Sequence, residues 1–503
     1  MKEKFQELKK RVSEVYAINS ASAVLSWDQQ VNMPPGGAGA RAAALSALEE
    51  LSHAKFTDPG NGRLIAELYD WAQGLGEDSF EAGYLRALKR DHEKAVKLTP
   101  ELVGEFSRAV SEAVNAWAKA RKDSDFKAFA PHLQKVLDLN LRKAEALGCG
   151  NSPYDALLDL YEPGATKAGL EPVLGKLAGG LKPVIKEIAA RAGSVSNAPV
   201  LGDFDESAQM DLVNDIVKKL GYDFSRGRQD RSAHPFTTDF SVDDVRITTR
   251  TQKDYLPMAI FGSAHECGHA LYGQGTPKEF DFTPLAGGAS QGMHESQSRF
   301  WENIVARSLP FCRWLLPLLR ERFPGRFDTA SPELLYSAVN RSAPSMIRVE
   351  ADEVTYNLHI LLRFEMEIAM LEGKLKVRDA PELWNAKMKD FFGIGPENAA
   401  EGILQDIHWA YGMIGYFPTY TIGNLISAQL AAGLDKDRPG WRELPAKGDF
   451  APILSWLRAR VHVHGRKYLP GRLLEKEFGE GVKVEPFLDY IKTKYSALYG
   501  FKP

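Results

Sequence analysis

The chain has 503 residues, 44% of them apolar and 26% charged, with a formal net charge of −3. These are ordinary values for a globular protein. The balance gives no electrostatic reason to expect nucleic acid or an anionic membrane as a partner, and no run of roughly eighteen apolar residues is present to span a bilayer. The three cysteines, Cys149, Cys267 and Cys312, are too few and too scattered for a disulfide framework or a thiolate zinc knuckle. The first ten residues are charged and lack the apolar core of a signal peptide, so a cytoplasmic protein is expected.

The N-terminal third reads as helices. Phe5, Leu8, Val12, Val15 and Tyr16 recur at spacings of three and four, which makes one apolar stripe. Asn32 to Gly37 breaks the pattern with two prolines and two glycines, and Ala38 to Leu51 resumes it. Helical spacing then holds from Ser79 to Lys122, with a stop and restart at Thr99-Pro100. It continues over Phe126 to Leu147, Tyr154 to Tyr161, and Gly164 to Ala192, where Gly179-Gly180 and Pro183 predict kinks or breaks. No repeat, low-complexity tract or composition shift marks a boundary, so one helical body over residues 1–503 is expected.

The one departure is Ala233 to Arg250. Val245, Ile247 and Thr249 alternate with Arg246, Thr248 and Arg250, and Phe236 to Phe240 is similar. A period of two in β-branched residues predicts strands, here a small antiparallel sheet over about 233–250. An exposed edge of such a sheet can pair with an extended peptide; a plain surface hairpin is the other reading.

Directly after it comes His265-Glu266-Cys267-Gly268-His269, within a helix predicted over about 255–273. Pro257 suits a first turn, and Gly275 followed by Pro277 suits an end. On a helix, His265 and His269 project from one face a turn apart. Two imidazoles so placed can grip one metal ion, while Glu266 can face a metal-bound water. Two histidines packed inside a core helix beside a paired glutamate would give the same pattern. Cys267 is not needed for the grip and reads as a small buried thiol.

A metal catalyst of this kind needs a third protein ligand and an open fourth position. The metzincin pattern is excluded, because it requires glycine and histidine where the chain has Tyr272 and Gly275. The remaining source is a glutamate further on, and Glu279, Glu295 and Glu302 are the candidates. Glu279 falls in a predicted solvated loop. Glu295 and Glu302 share a face of a helix predicted over about 291–307, so periodicity does not choose between them. Polar neighbours His294, Ser296 and Gln297 favour Glu295, since they could supply supporting hydrogen bonds.

Two more polar clusters follow. Ile347 to Asp352 is predicted to open a long helix toward Gly373, where Arg348 and Asp352 would pair four residues apart. The alternative for Arg348 is a guanidinium fork for a substrate carboxylate. Gly402 to Trp409 crowds Gln405, Asp406, His408 and Trp409 into a turn or two of predicted helix. Gly415 to Gly423 is predicted as a loop carrying Tyr416 and Tyr420, whose hydroxyls could reach an oxyanion or a carboxylate.

Several of these segments, in this order, resemble the carboxypeptidase Taq family of metallocarboxypeptidases: His234-Pro235-Phe236, Asp244-Val-Arg246-Ile-Thr248, His265 to His269, His294-Glu295-Ser-Gln297, Ile347-Arg348-Val-Glu-Ala-Asp352, and Gly402-Ile-Leu-Gln405-Asp406-Ile-His408-Trp409. Trp27-Asp28 and Met33-Pro34 also resemble the family, so the likeness spans nearly the whole chain. It implies a mainly helical, neurolysin-like body divided by a deep groove, a homodimer, and Glu295 as the third ligand. The implied cofactor is zinc (Zn2+), with cobalt (Co2+) able to replace it. The implied reaction removes C-terminal residues from peptides with broad specificity, with Glu266 as general base. Arg348 is the first choice for the substrate carboxylate, Tyr420 or His234 a helper, Arg246 a rival, and His408 a further binding candidate. Two rival readings remain: an endo-oligopeptidase with the same site, and an inactive helical peptide-binding protein. An aminopeptidase fits poorly, because its Gly-x-Met-Glu-Asn stretch precedes the metal motif, whereas Gly292-Met293 here follows it.

Overall fold

Phe5, Leu8, Val12 and Val15 are buried along one face of the first helix, Lys2–Val31, as their spacing requires. In the computed structural model, which describes residues 1–502, the first three of these pack with Ile65, Leu68, Tyr84, Leu88, Phe280 and Leu285. Burying each such side chain contributes about 1.5–3 kcal/mol. The fold is mainly helical, and local chemistry sets its boundaries. One helix ends at Lys97, and Thr99 caps the next, Pro100–Asp123, by accepting from the Leu102 amide. Asp125 caps Phe126–Leu147 in the same way, and that helix ends at Gly148 with φ +93°, a conformation glycine adopts without a Cβ clash.

The chain gathers into two compact units, each made of three separated segments. Unit 1 comprises Met1–Val96, Asn197–Val339 and Leu430–Gly481. Unit 2 comprises Lys97–Ser196, Asn340–Gln429 and the chain from Val482 onward. Among the described residues no helix is long and apolar enough to cross a membrane.

Unit 1 holds a small sheet in the order β1-β3-β2, with β1 at Gln229–Arg231, β2 at Thr237–Ser241 and β3 at Asp244–Thr249. β2 and β3 pair antiparallel, as the alternation predicts, but β1 pairs parallel to β3. The sheet is therefore mixed rather than purely antiparallel. Gln-Asp-Arg has no apolar alternation to betray a strand; only the ladder, with the Ile247 amide donating to the Arg228 carbonyl and the Ser232 amide to that of Thr249, makes it one. Trp27 fastens the first helix to this sheet. Its indole meets Phe240 edge-on and carries the guanidiniums of Arg246 at 4.4 Å and Arg228 at 5.3 Å.

Five further expectations need correction. The helix Lys167–Ala189 runs unbroken through Gly179, Gly180 and Pro183. Gln291–Arg299 is α-helical, but Phe300–Ala306 widens into a π-helix. In unit 2, Arg348–Glu350 is a single 3-10 turn, and the long helix begins only at Tyr356. The reason is Asp352, whose carboxylate accepts from the Ser342 hydroxyl and from the amides of Ala343, Val354 and Thr355, which holds this stretch open. The segment from Gly402 to Trp409 is a run of turns, not a helix. There the Gln405 amide donates to the carbonyls of Met346, Glu401 and Gly402, so a side chain takes up backbone groups that a helix would have used. Tyr420 lies within a helix, Pro418–Asp437, rather than in a loop.

Candidate metal centre

The motif sits on the helix Pro257–Gly275, which is buried on nearly every side. Small residues let its neighbours come close. A Cβ on Gly268 would stand 2.6 Å from the Gln297 carbonyl oxygen and 2.6 Å from Ser298 Cα, both backbone atoms of the following helix. The sheet is tied to the other side: Ser263 donates to Thr249, and Gln229 donates to Ser263. Gly268→Ala is accordingly expected to force the two helices apart, at about 1–3 kcal/mol for overpacking, and to displace Glu295 from the histidines. A lower melting temperature and weaker metal retention against a chelator would report this. Wild-type values of both would mean the helices separate without cost.

His265 and His269 stand one turn apart with ring centroids 5.0 Å from each other. Glu295, from the helix Gln291–Arg299, reaches between them. Its Oε2 lies 3.6 Å from His265 Nε2 and 3.4 Å from His269 Nε2. One ligand atom from each of the three residues lies within 4.8 Å of the others. His265 Nδ1 is 2.9 Å from Glu302 Oε2 and donates to it, so in the neutral imidazole the Nε2 lone pair is aimed at a carboxylate oxygen. Two electron pairs held face to face repel unless a proton or a metal ion sits between them, and two imidazole nitrogens with one carboxylate suit zinc. The residues present therefore fit a divalent ion and leave a position for water.

A charged frame surrounds these three. Arg299 donates through Nε to Glu295 Oε1 at 2.7 Å and through Nη1 to Glu302 Oε2 at 3.2 Å. Arg307 reaches Glu302 Oε1 at 3.4 Å. Burial disfavours both carboxylates, yet Arg299 together with the histidines holds Glu295 well below the usual range. Burial raises Glu302 too, but Arg299, His265 and Arg307 bring it down to about 2. Burial also works against a charged His265, but Glu295 and the hydrogen bond to Glu302 outweigh it and hold that imidazole above its ordinary value. His294 Nδ1 is 2.7 Å from His269 Nδ1, and burial followed by the His269 charge pushes His294 down to about 3. Cys267 is fully buried, and burial raises its thiol well above the ordinary value, which keeps it an inert packing group.

Glu266 is buried but stands outside the triad. Its Oε2 accepts from the Thr237 hydroxyl on β2 at 2.6 Å. Among the other expected residues of unit 1, His234 is exposed just before β2. Arg246 is committed to Asp244 through two contacts of 2.9 and 2.8 Å. Glu279 is exposed, as expected.

Unit 2 brings the remaining expected residues together. Arg348 pairs not with Asp352 but with Asp406, through Nε at 3.0 Å and Nη2 at 2.7 Å, and it donates to the Tyr356 hydroxyl at 2.7 Å. Arg363, fully buried, reaches the other oxygen of Asp406 at 2.6 Å. Two guanidiniums thus share one carboxylate. The Tyr420 ring lies 5.1 Å from the Arg348 guanidinium, and its hydroxyl is 3.1 Å from His408 Nε2. Burial pushes His408 down to about 4. Sequence reasoning passed over Thr237, Arg299, Tyr356 and Arg363. Arg299 was findable as the partner four residues from Glu295, and Arg363 as a lone charge among Leu361, Leu362 and Phe364; Thr237 and Tyr356 carry no such signal.

A mainly helical protein with a His-Glu-x-x-His helix, a small sheet against it and a glutamate turned in from the next helix has the build of a metallopeptidase. The family model of the carboxypeptidase Taq (M32) metallopeptidases matches residues 7–495. Thermostable carboxypeptidase 1 of Pyrococcus furiosus is 43% identical over 98% of each chain, and thermostable carboxypeptidase 1 of Thermus thermophilus is 40% identical over 99% of each. The crystal structure of the M32 carboxypeptidase from Deinococcus radiodurans superimposes with a TM-score of 0.95 at 38% identity, covering 99% of each chain. The chain belongs to the carboxypeptidase Taq (M32) family and is a metallocarboxypeptidase.

Proposed function

We propose that the enzyme is zinc-dependent, releases C-terminal amino acids from peptides stepwise with broad specificity, and uses Glu266 as its general base. The convergence of Glu295 Oε2 on two imidazole nitrogens, at 3.4 and 3.6 Å, carries this reading. His265, His269 and Glu295 would hold the ion. When bound, zinc would supply Lewis acidity and bring the pKa of its water to about 7.

Glu266 takes a proton from the attacking water and delivers it to the leaving amine. Thr237, hydrogen-bonded to Glu266 Oε2, orients that carboxylate. The same residue places β2, an edge strand, beside the base, and an edge strand can pair with an extended peptide. The Arg348 fork recognises the substrate's C-terminal carboxylate, with Tyr420 and His408 beside it. Charge supports Arg348 over Arg246: Asp244 balances Arg246 one to one, whereas Asp406 is shared by Arg348 and Arg363 and leaves positive charge to meet an anion. His234 remains a helper by its motif alone. The reading extends to a cytoplasmic homodimer in which Co2+ can replace Zn2+.

Timed digests of one peptide, followed by mass spectrometry with and without a chelator, test it. A ladder shortening from the C-terminus, abolished by the chelator and restored by zinc or cobalt, is expected. Internal fragments, or activity that survives metal removal, would overturn it.

A further inference from the structure

We infer that His294 is a positioning residue for His269: it fixes the tautomer that leaves His269 Nε2 bare for the metal. The inference rests on the reading of His265, His269 and Glu295 as metal ligands. The two Nδ1 atoms of His269 and His294 lie 2.7 Å apart, a hydrogen bond in which one nitrogen donates and the other accepts. With the His269 Nε2 lone pair turned toward the ion, its only proton sits on Nδ1. His294 Nδ1 is therefore the acceptor, and the His294 proton sits on Nε2.

The His294 ring is held for this task. It packs between His269 at 4.8 Å and Tyr272 at 5.1 Å, and Tyr272 packs in turn on His462 at 4.9 Å. Gly288 presses on the same group: a Cβ there would lie 2.8 Å from Tyr272 Cε1 and 3.0 Å from His294 Cδ2. Ser290 fixes the start of the helix by accepting from the Met293 amide, one residue before His294.

The two ligand imidazoles thus have unlike supports. His265 donates to the carboxylate of Glu302, which makes it the more electron-rich ligand. His269 donates to a neutral ring. A carboxylate in place of His294 would add another negative charge to a centre that already holds Glu266, Glu295 and Glu302.

Zinc affinity, measured on the full-length protein by competition with a chelator, separates this from a packing role. His294→Asn places an amide oxygen where Nδ1 stood, whereas His294→Leu fills the space and accepts nothing. The leucine variant is expected to bind zinc about 10–100-fold more weakly, and the asparagine variant to stay within about threefold of wild type. The metal-free forms of both should melt together. Equal affinities in leucine variant and wild type, or equal weakening in both variants, would overturn the inference. If His269→Ala held zinc as tightly as wild type, the ligand assignment itself would fail, and this inference with it.

Discussion

Glu266→Gln is expected to leave zinc bound and to lower kcat by about 10²- to 10⁴-fold, the usual range for a lost general base. The metal should stay because Glu266 is not among the three converging residues. The local fold should stay because glutamine keeps an oxygen to accept from Thr237, which now donates to Oε2 at 2.6 Å. The lost property is basicity, since a neutral amide does not take a proton from water. Metal content by elemental analysis and kcat on a short peptide make the measurement. Near-normal turnover with metal in place would refute the assignment of the base.

Arg348→Ala is expected to reduce kcat/KM on peptides with a free C-terminus by about 10²- to 10³-fold, the cost of losing one partner of a charge-assisted pair. The protein should still fold. Removing Arg348 leaves Asp406 with Arg363, a balanced pair at 2.6 Å, and so strands no buried charge. C-terminally amidated peptides give the control, because they offer no carboxylate to lose. A wild-type enzyme that cut amidated and free ends equally well would leave the fork without a role.

These two residues were legible to different degrees. Glu266 follows from a five-residue pattern whose meaning is local: on a helix, neighbours four apart share a face whatever surrounds them. Spacing showed Arg348 as an arginine with an acid four residues on, and left the carboxylate fork as the alternative. The helix that would have paired it with Asp352 is absent, because Asp352 spends its oxygens on backbone amides. Its true partner lies 58 residues away, at Asp406. The strand β1 was missed for a similar reason, since a polar tripeptide becomes a strand only when β3 lies alongside it.

Glu295 and Glu302 show most clearly what short-range reading omits. Seven residues apart, they fall on one face of the predicted helix, and spacing treats them as equals. The fold gives them different work. Glu295 turns one oxygen to both imidazoles while Arg299 takes the other. Glu302, in the widened π-helical turn, holds the far nitrogen of His265.

The sequence by itself determined the helical character, the β2-β3 hairpin, the face shared by His265 and His269, and the chemical class. Each of these depends on periods and spacings of a few residues, which the local chain obeys. Tertiary structure turned Glu295, which the family resemblance implied and spacing did not choose, toward the imidazoles, and it alone decided that Arg348 and Arg363 share Asp406 and that His294 meets His269. Those outcomes depend on which distant segments are pressed together, and helix contacts as close as the one at Gly268 are set by packing across the whole fold.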